Sequence, residues 1–249
     1  MVEVLKETAI GVIVFVAVGL VIVRAFERRW PLRTITWRST IRLDLIALGH
    51  ATLCSAATAW LCLVVFGPYR DHPTIAALRA TSPPVRLLVL LLANDLLYYW
   101  YHRALHTFAW RVHRWHHSAP ALYWLSGSRG STPDIVLQVV PLTVTTMLFL
   151  APGEGWLFGT IQLANGFFQH MNVRFRARWL EALIVTPAIH TLHHANDPRL
   201  RDKNFSALFT IWDRVFGTWM SPDAIATPDL TTGLDPDERP SVPRMLLGA

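Results

Sequence analysis

The hydrophobic positions of this chain fall in long unbroken runs, not in the alternating or 3.6-residue stripes of a soluble domain. The first run, residues 9–23 (AIGVIVFVAVGLVIV), is followed at once by Arg24, Glu27, Arg28 and Arg29. With no small-residue cleavage site after it, this run predicts a retained transmembrane helix and not the core of a signal peptide. Residues 45–66 predict a second span, which carries the lone His50, and residues 87–101 a third, shorter one containing Asn94 and Asp95. Residues 135–151 and 156–171, separated by Pro152-Gly153-Glu154-Gly155, predict a helical hairpin with a kink at Pro141. Each arm falls a little short of the ~20 residues that a perpendicular span needs.

The loops set an orientation. Six arginines between Arg24 and Arg42 place that connector in the cytoplasm, where Lys and Arg are retained. The 67–84 loop carries only Arg70 and Arg79, and the hairpin tip carries neither Lys nor Arg, so both are expected outside. The N-terminus is then outside, while the segment after Tyr101, residues 118–134 and everything after Met171 are inside. The expected fold is all-α: an integral membrane protein with four or five membrane helices, the last two a short hairpin, and a cytoplasmic helical cap. Its expected organisation is a single unit over 1–249. An N-terminal transmembrane hairpin (1–84) precedes a catalytic region (85–220) and an irregular tail (221–249) interrupted by Pro222, Pro228, Pro236, Pro240 and Pro243. Arg174, Arg176 and Arg178 precede Trp179, Leu180, Leu183 and Ile184, as in a helix lying along the membrane interface. Leu208, Ile211, Trp212, Val215, Phe216 and Trp219 form another apolar face. Either face fits the interface or the protein's own core.

Composition agrees with membrane insertion. The chain has 249 residues, 52% of them hydrophobic and only 16% charged, with eleven Trp, against about 25% charged in soluble domains. Mean hydropathy is +0.32. The net charge of +6 raises the possibility of nucleic acid. However, the basic residues lie in loops between apolar runs and form no compact groove interleaved with aromatics, which argues against that partner. Cys54 and Cys62 sit two helical turns apart, about 12 Å along an axis, too far for a disulfide. With 21 Arg against two Lys (Lys6 and Lys203), and a C-terminal Leu-Leu-Gly-Ala that is no ER-retention signal, the expected location is a bacterial inner membrane.

Nine of the eleven histidines are patterned: His102 and His106 as HxxxH, His113, His116 and His117 as HxxHH, His190, His193 and His194 as HxxHH again, and His170 alone at the end of the hairpin. On a helix, positions i, i+3 and i+4 share a face, so each cluster can aim two or three imidazoles at one point. No Asp or Glu lies between His102 and His117, nor between Thr186 and Asn196, and thiols are nearly absent, which disfavours Mg, Ca and Fe–S and favours imidazole-binding metals such as Zn, Cu, Fe and Ni. Nine imidazoles exceed what one ion takes; two metals with four or five each fit the count. A redox-inert zinc pair has less use for so many ligands.

The stretches DLLYYWYHRALH, RVHRWHHSAPAL, FFQHMNVR, TPAIHTLHH and NFSALFTIWDRVFGTW, in this order, resemble the fatty acid hydroxylase/sterol desaturase superfamily from about Asn94 to Met220. The resemblance implies a helical membrane fold whose cytoplasmic cap holds two irons, with O2-dependent oxidation of an unactivated C–H bond of a lipid. Carried over residue by residue, it makes His102, His106, His113, His116, His117, His170, His190, His193 and His194 the metal ligands. Two departures stand out. Many relatives have Arg-Phe-His-Pro where this chain has Arg129-Gly130-Ser131-Thr132, which leaves a tenth ligand open, and Asn-Tyr-Gly becomes Asn204-Phe205-Ser206.

Asp95 shares a helical stripe with His102 and His106, and is expected to accept the second ring N–H of a ligand histidine. The alternative is an ion pair with Arg103 or Arg129. Asp213 and Arg214 are expected to tie the closing helix to the cap. His50 is expected to pack, His72 to be solvated, and Gln162, Asn165 and Gln169 to hold a metal-bound water, line the substrate path or bond to one another. With no GxGxxG after a strand, no CxxCH and no Fe–S cysteine pattern, the electrons must come from outside. A ferredoxin, cytochrome b5-like protein or reductase is implied, received by Arg174, Arg176, Arg178, Arg199 and Arg201 if those residues do not simply meet phospholipid. The substrate is expected to enter from the bilayer. A membrane zinc hydrolase and a non-catalytic metal-binding protein are the rival functions.

Overall fold

A computed structural model describes residues 2–35, 37–200, 202–224, 230–238 and 241–249. The first apolar run forms a longer rod than its hydrophobic core alone predicts. Helix α1 (Val2–Val18) continues through a π-helical turn (Gly19–Val23) into α2 (Arg24–Arg29). The widened turn falls where Trp124 lies against the backbone, since a Cβ on Gly19 would stand 2.3 Å from its ring. Only glycine permits that approach. Helix α3 (Trp37–Phe66) follows, and the expected outer loop contains α4 (Pro73–Arg79), capped at its start by His72.

Helix α5 (Pro83–Phe108) begins on two prolines, whose missing N–H groups cost nothing in a first turn, and runs on through His102 and His106. A bend of 112° separates it from α4. Helix α6 (Trp110–His113) is a single turn. Helix α7 (Thr132–Phe149) passes through Pro141, and α8 is Pro152–His170. The Pro152-Gly153-Glu154-Gly155 stretch is thus the first turn of α8 and not a hairpin loop. The Ala151 N–H donates to Glu154 Oε2 at 2.9 Å, and Glu154 also pairs with Arg86 of α5.

Ile10–Arg29, Thr40–Tyr69 and Thr132–Phe149 are long and apolar enough to cross a membrane, and the bent α4–α5 pair makes up to a fourth span. Helix α8 does not reach that level, because Gln162, Asn165, Gln169 and His170 lie along it. Against the expected four or five spans, the described residues contain three or four candidates. Ile13, Leu53 and Val85 are 66%, 70% and 59% exposed, while Asp44, Asn94 and Asp95 are buried. An apolar exterior around a polar interior suits lipid. Cys54 and Cys62 are free thiols, and His50 packs beside Cys54 and the Trp115 ring as expected.

The remaining elements form the cap: 3-10 turns at His116–Ser118 and Ser126–Ser128, then α9 (Arg178–Glu181), α10 (Pro187–His193), α11 (Ile211–Val215) and α12 (Val242–Leu247). Among the described residues there is no strand, only isolated bridges such as Ile184 to Phe209, and the all-α architecture holds. Trp179, Leu183, Ile211 and Val215 are 72%, 61%, 46% and 62% exposed. These four side chains do not pack onto the core, whereas Leu208 of the second face packs with Phe158 and Phe216 stacks on Tyr99 at 5.1 Å. The tail is more ordered than its prolines suggest: Met245 of α12 packs on Ala47 and Trp115, and Thr232 Oγ1 donates to the Pro120 carbonyl at 2.9 Å. Pro228 and Pro240 lie outside the described residues.

Candidate metal centre

All nine patterned histidines converge, and they divide into two groups. His102, His106, His113, His117 and His193 form one, and His116, His170, His190 and His194 the other; within each, the candidate ligand atoms lie within 4.8 Å of one another. The division cuts through both HxxHH motifs. In each, the i and i+4 residues (His113 with His117, His190 with His194) go to one group, while the i+3 residue (His116 or His193) goes to the other. For His190, His193 and His194 on α10 and its cap, helix geometry accords with this, because i and i+4 differ by only ~40° in direction whereas neighbours differ by ~100°; the His113–His117 motif divides the same way although it runs from α6 into a 3-10 turn. The groups touch, with the His117 and His194 rings stacked at 4.2 Å.

The nitrogens are poised for cations. His102 Nδ1 donates to the Phe205 carbonyl at 2.7 Å, His116 Nδ1 to the Arg129 carbonyl at 3.0 Å, and His193 Nδ1 to the Lys203 carbonyl at 2.8 Å. A carbonyl only accepts, so these rings carry their proton on Nδ1 and turn an Nε2 lone pair inward. His113 Nδ1 donates likewise to Asp134 Oδ2 at 2.9 Å. His102 and His113 therefore present two lone pairs to each other, Nε2 to Nε2, at 2.9 Å. No proton lies between them, and a shared cation removes the repulsion. His116 Nε2 and His193 Nε2 are buried with no hydrogen-bond partner among the described residues.

Spacing supports the same conclusion. Nε2 separations are 3.2 Å for His106–His117 and 3.0 Å for both His170–His190 and His190–His194. Two nitrogens ~2.1 Å from one metal and at right angles lie ~3.0 Å apart. Burial pushes the His113, His117, His190, His193 and His194 imidazoles well below the usual histidine range, and His116 down to about 4. The neutral form is the one that binds metal. The donor set fits two imidazole-ligated ions.

Asp95 does not do what its position on the stripe suggested. Its oxygens accept the backbone N–H groups of Ala207, Leu208 and Phe209 at 3.1, 2.8 and 2.8 Å. Three amides in an adjacent loop satisfy the carboxylate before any ring N–H reaches it. Asp213 clamps the same loop, accepting from Phe205 N–H at 2.7 Å and Ser206 N–H at 3.0 Å, in keeping with its expected structural role. Together they hold the Phe205 carbonyl against His102, and the Phe205 ring lies 5.1 Å from that of His106. Asn204 enters this loop at φ 58°, a conformation that asparagine tolerates.

The exposed Asp202 lies 3.5 Å from His106 Nδ1, and the buried carboxylate that meets a cluster histidine is Asp134, in the first turn of α7, which the pattern did not single out. Its signal was faint: an acidic residue just after Ser131-Thr132-Pro133, beside the departure from Arg-Phe-His-Pro. Ser131, at the departure itself, donates its hydroxyl to the Val112 carbonyl at 2.6 Å. Arg129 pairs with Asp44 of α3 at 2.6 Å, both side chains buried, and not with Asp95. That pair fixes the carbonyl on which His116 turns. Arg103 donates to the Tyr99 hydroxyl at 3.0 Å. Among the arginines expected to receive an electron donor, Arg176 pairs with Glu181 and Asp223, Arg178 with Asp223, and Arg199 with Asp197. Arg201 lies outside the described residues. The face is less positive than its arginine count.

Residues 87–218 match the fatty acid hydroxylase family. Human alkylglycerol monooxygenase is 31% identical over 133 residues, which cover 51% of this chain and 29% of that protein. The ornithine lipid hydroxylase OlsE of Rhizobium tropici is 27% identical over 126 residues, covering 50% of this chain and 38% of its own length. A delta(7)-sterol 5(6)-desaturase of Aspergillus fumigatus is 26% identical over 167 residues, covering 58% and 51%. The chain thus spans only part of the relatives it matches. No solved structure matches. The matched region holds every residue of both histidine groups, and the chain belongs to the fatty acid hydroxylase family.

Proposed function

We propose that this protein is a di-iron oxidoreductase that uses O2 to hydroxylate or desaturate an unactivated C–H bond of a membrane lipid. The observation that carries this is the convergence of nine imidazoles into adjoining groups of five and four, with the Nε2 atoms of His102 and His113 turned toward each other. When bound, the two irons supply O2 activation and the oxidation of the C–H bond. The chain supplies orientation and dryness. The Phe205, Arg129 and Lys203 carbonyls and Asp134 fix the ring tautomers, while Phe205 and Tyr98, whose ring lies 5.1 Å from that of His102, exclude water. Sterol, fatty acyl, sphingoid, ether-lipid and carotenoid substrates all fit entry from the bilayer, as the apolar exterior suggests. Residues 1–249 act as one unit, with the boxes on the cytoplasmic side of a bacterial inner membrane. Electrons arrive from a separate ferredoxin, cytochrome b5-like protein or reductase.

The test is comparative lipid profiling of a bacterial host that expresses the chain or its His193→Ala variant, with and without oxygen, beside metal analysis of the purified protein. The expected result is about two irons per chain and a lipid with a new hydroxyl or double bond, absent in the variant and under argon. Stoichiometric zinc with oxygen-independent turnover would instead mark a hydrolase. Two bound irons with no oxygen-dependent change in any lipid would mark a carrier.

A further inference from the structure

The interior that leads to the metal groups changes character along its length. At the end of α8 remote from His170, Phe158 packs with Leu91, Leu150 and Leu208 in a closed apolar cluster. Nearer the histidines the interior turns polar. Asn94 and Thr145 satisfy each other, Nδ2 donating to Oγ1 at 2.8 Å. Asn165 and Gln169, one turn apart on α8, do not. Asn165 spends its amide N–H on the Ala207 carbonyl at 3.0 Å, but its Oδ1 has no partner among the described residues. Gln169 Oε1 and the hydroxyl oxygen of Ser206, the residue before Ala207, are likewise buried without partners. Asn165 and Gln169 are each 8% exposed and Ser206 2%.

Buried acceptors are costly unless something donates to them. Gln169 adjoins the ligand His170, and Asn165 lies ~8 Å from His170 along the axis of α8. The four-histidine group to which His170 belongs also has one protein ligand fewer than its neighbour, so it is the more open of the two. Resting on the lipid-oxidising function above, we propose that Asn165, Gln169 and Ser206 bind a hydrogen-bond-donating polar group of the substrate. The oxidised carbon then lies within a few bonds of that group, near the headgroup and not midway along an acyl chain. A lipid oxidised in mid-chain would lay methylenes against these acceptors and leave them unpaired.

The test uses 1-O-alkylglycerol and its di-O-methyl derivative, which keeps the chain and loses both O–H donors. Binding of each to the iron-loaded protein in nanodiscs is measured under argon, for the wild type, Gln169→Leu and Asn165→Leu. The free diol is expected to bind the wild type about tenfold or more tightly than the dimethyl ether. Gln169→Leu, which removes a side-chain oxygen with no hydrogen-bond partner among the described residues, is expected to bring the two probes to within about threefold by weakening the diol alone. Equal binding of both probes by the wild type overturns the proposal. So does a preference that survives in both variants. Oxygen and a reduced ferredoxin, as the source of the two electrons, are then admitted to the same samples: a diol preference without oxidised product would remove the lipid oxidase function and leave the polar site standing.

Discussion

Replacing Asp134 by alanine removes the acceptor for the His113 Nδ1–H, a bond of 2.9 Å between side chains that are 0% and 1% exposed. Losing such an outer partner of a metal-ligating histidine typically costs 10- to 100-fold in metal affinity, or about 1.4–2.7 kcal/mol. The cost should fall on one metal. His113 belongs to the five-histidine group, whereas in the four-histidine group Asp134 acts on His116 only through space, with no hydrogen bond between them among the described residues. Chelator titration of the iron-loaded protein, with metal content read at each step, should resolve two release steps. In Asp134→Ala one step should move to about 10- to 100-fold lower chelator concentration while the other stays in place. Asp134→Asn, which retains an acceptor oxygen without the charge, should fall between the two. Release of both ions at wild-type chelator concentrations, or an equal shift of both, would refute the assigned role of Asp134.

Asp44→Ala leaves the buried Arg129 guanidinium without its carboxylate, and is expected to lower stability by about 3–5 kcal/mol in detergent unfolding. His193→Ala and His170→Ala remove one ligand from different groups, so each should weaken a different release step in the same titration. Gly19→Leu drives a side chain into the Trp124 ring and is expected to destabilise by about 1–3 kcal/mol, seen as a lower melting temperature. Removing the metals should also lower the melting temperature. A ligand that binds only the folded state stabilises it by about 4 kcal/mol at a thousandfold excess over its Kd, so an apoprotein melting with the loaded form would contradict two tight sites.

Much of this was open to a reader of the chain. Long apolar runs with few charges must be helices in a bilayer, because lipid offers no partner for an unpaired backbone group. The spacing of eight histidines marked them as ligand candidates, since i, i+3 and i+4 are helical facts that need no tertiary contact, while the lone His170 was named by the family resemblance. What spacing left open was which histidine goes with which. His113 and His116 share a motif but not a group, because HxxHH begins on the last turn of α6 and ends on a 3-10 turn, and two elements from elsewhere in the chain meet it there.

The second layer depended entirely on tertiary structure. Asp95 lay at the right helical offset from His102 and His106, yet it bonds three amides of the 207–209 loop, because a carboxylate takes whichever donors the packing brings nearest. Asp134 stood 21 positions from His113, an offset with no local meaning, and became its partner only when α7 packed beside α6. The Arg129–Asp44 pair joins residues 85 positions apart for the same reason. Local periodicity determined which side chains can bind a metal. Packing between remote elements decided which proton His102, His116 and His193 keep, which histidines group together, and which buried oxygens are left without a partner among the described residues.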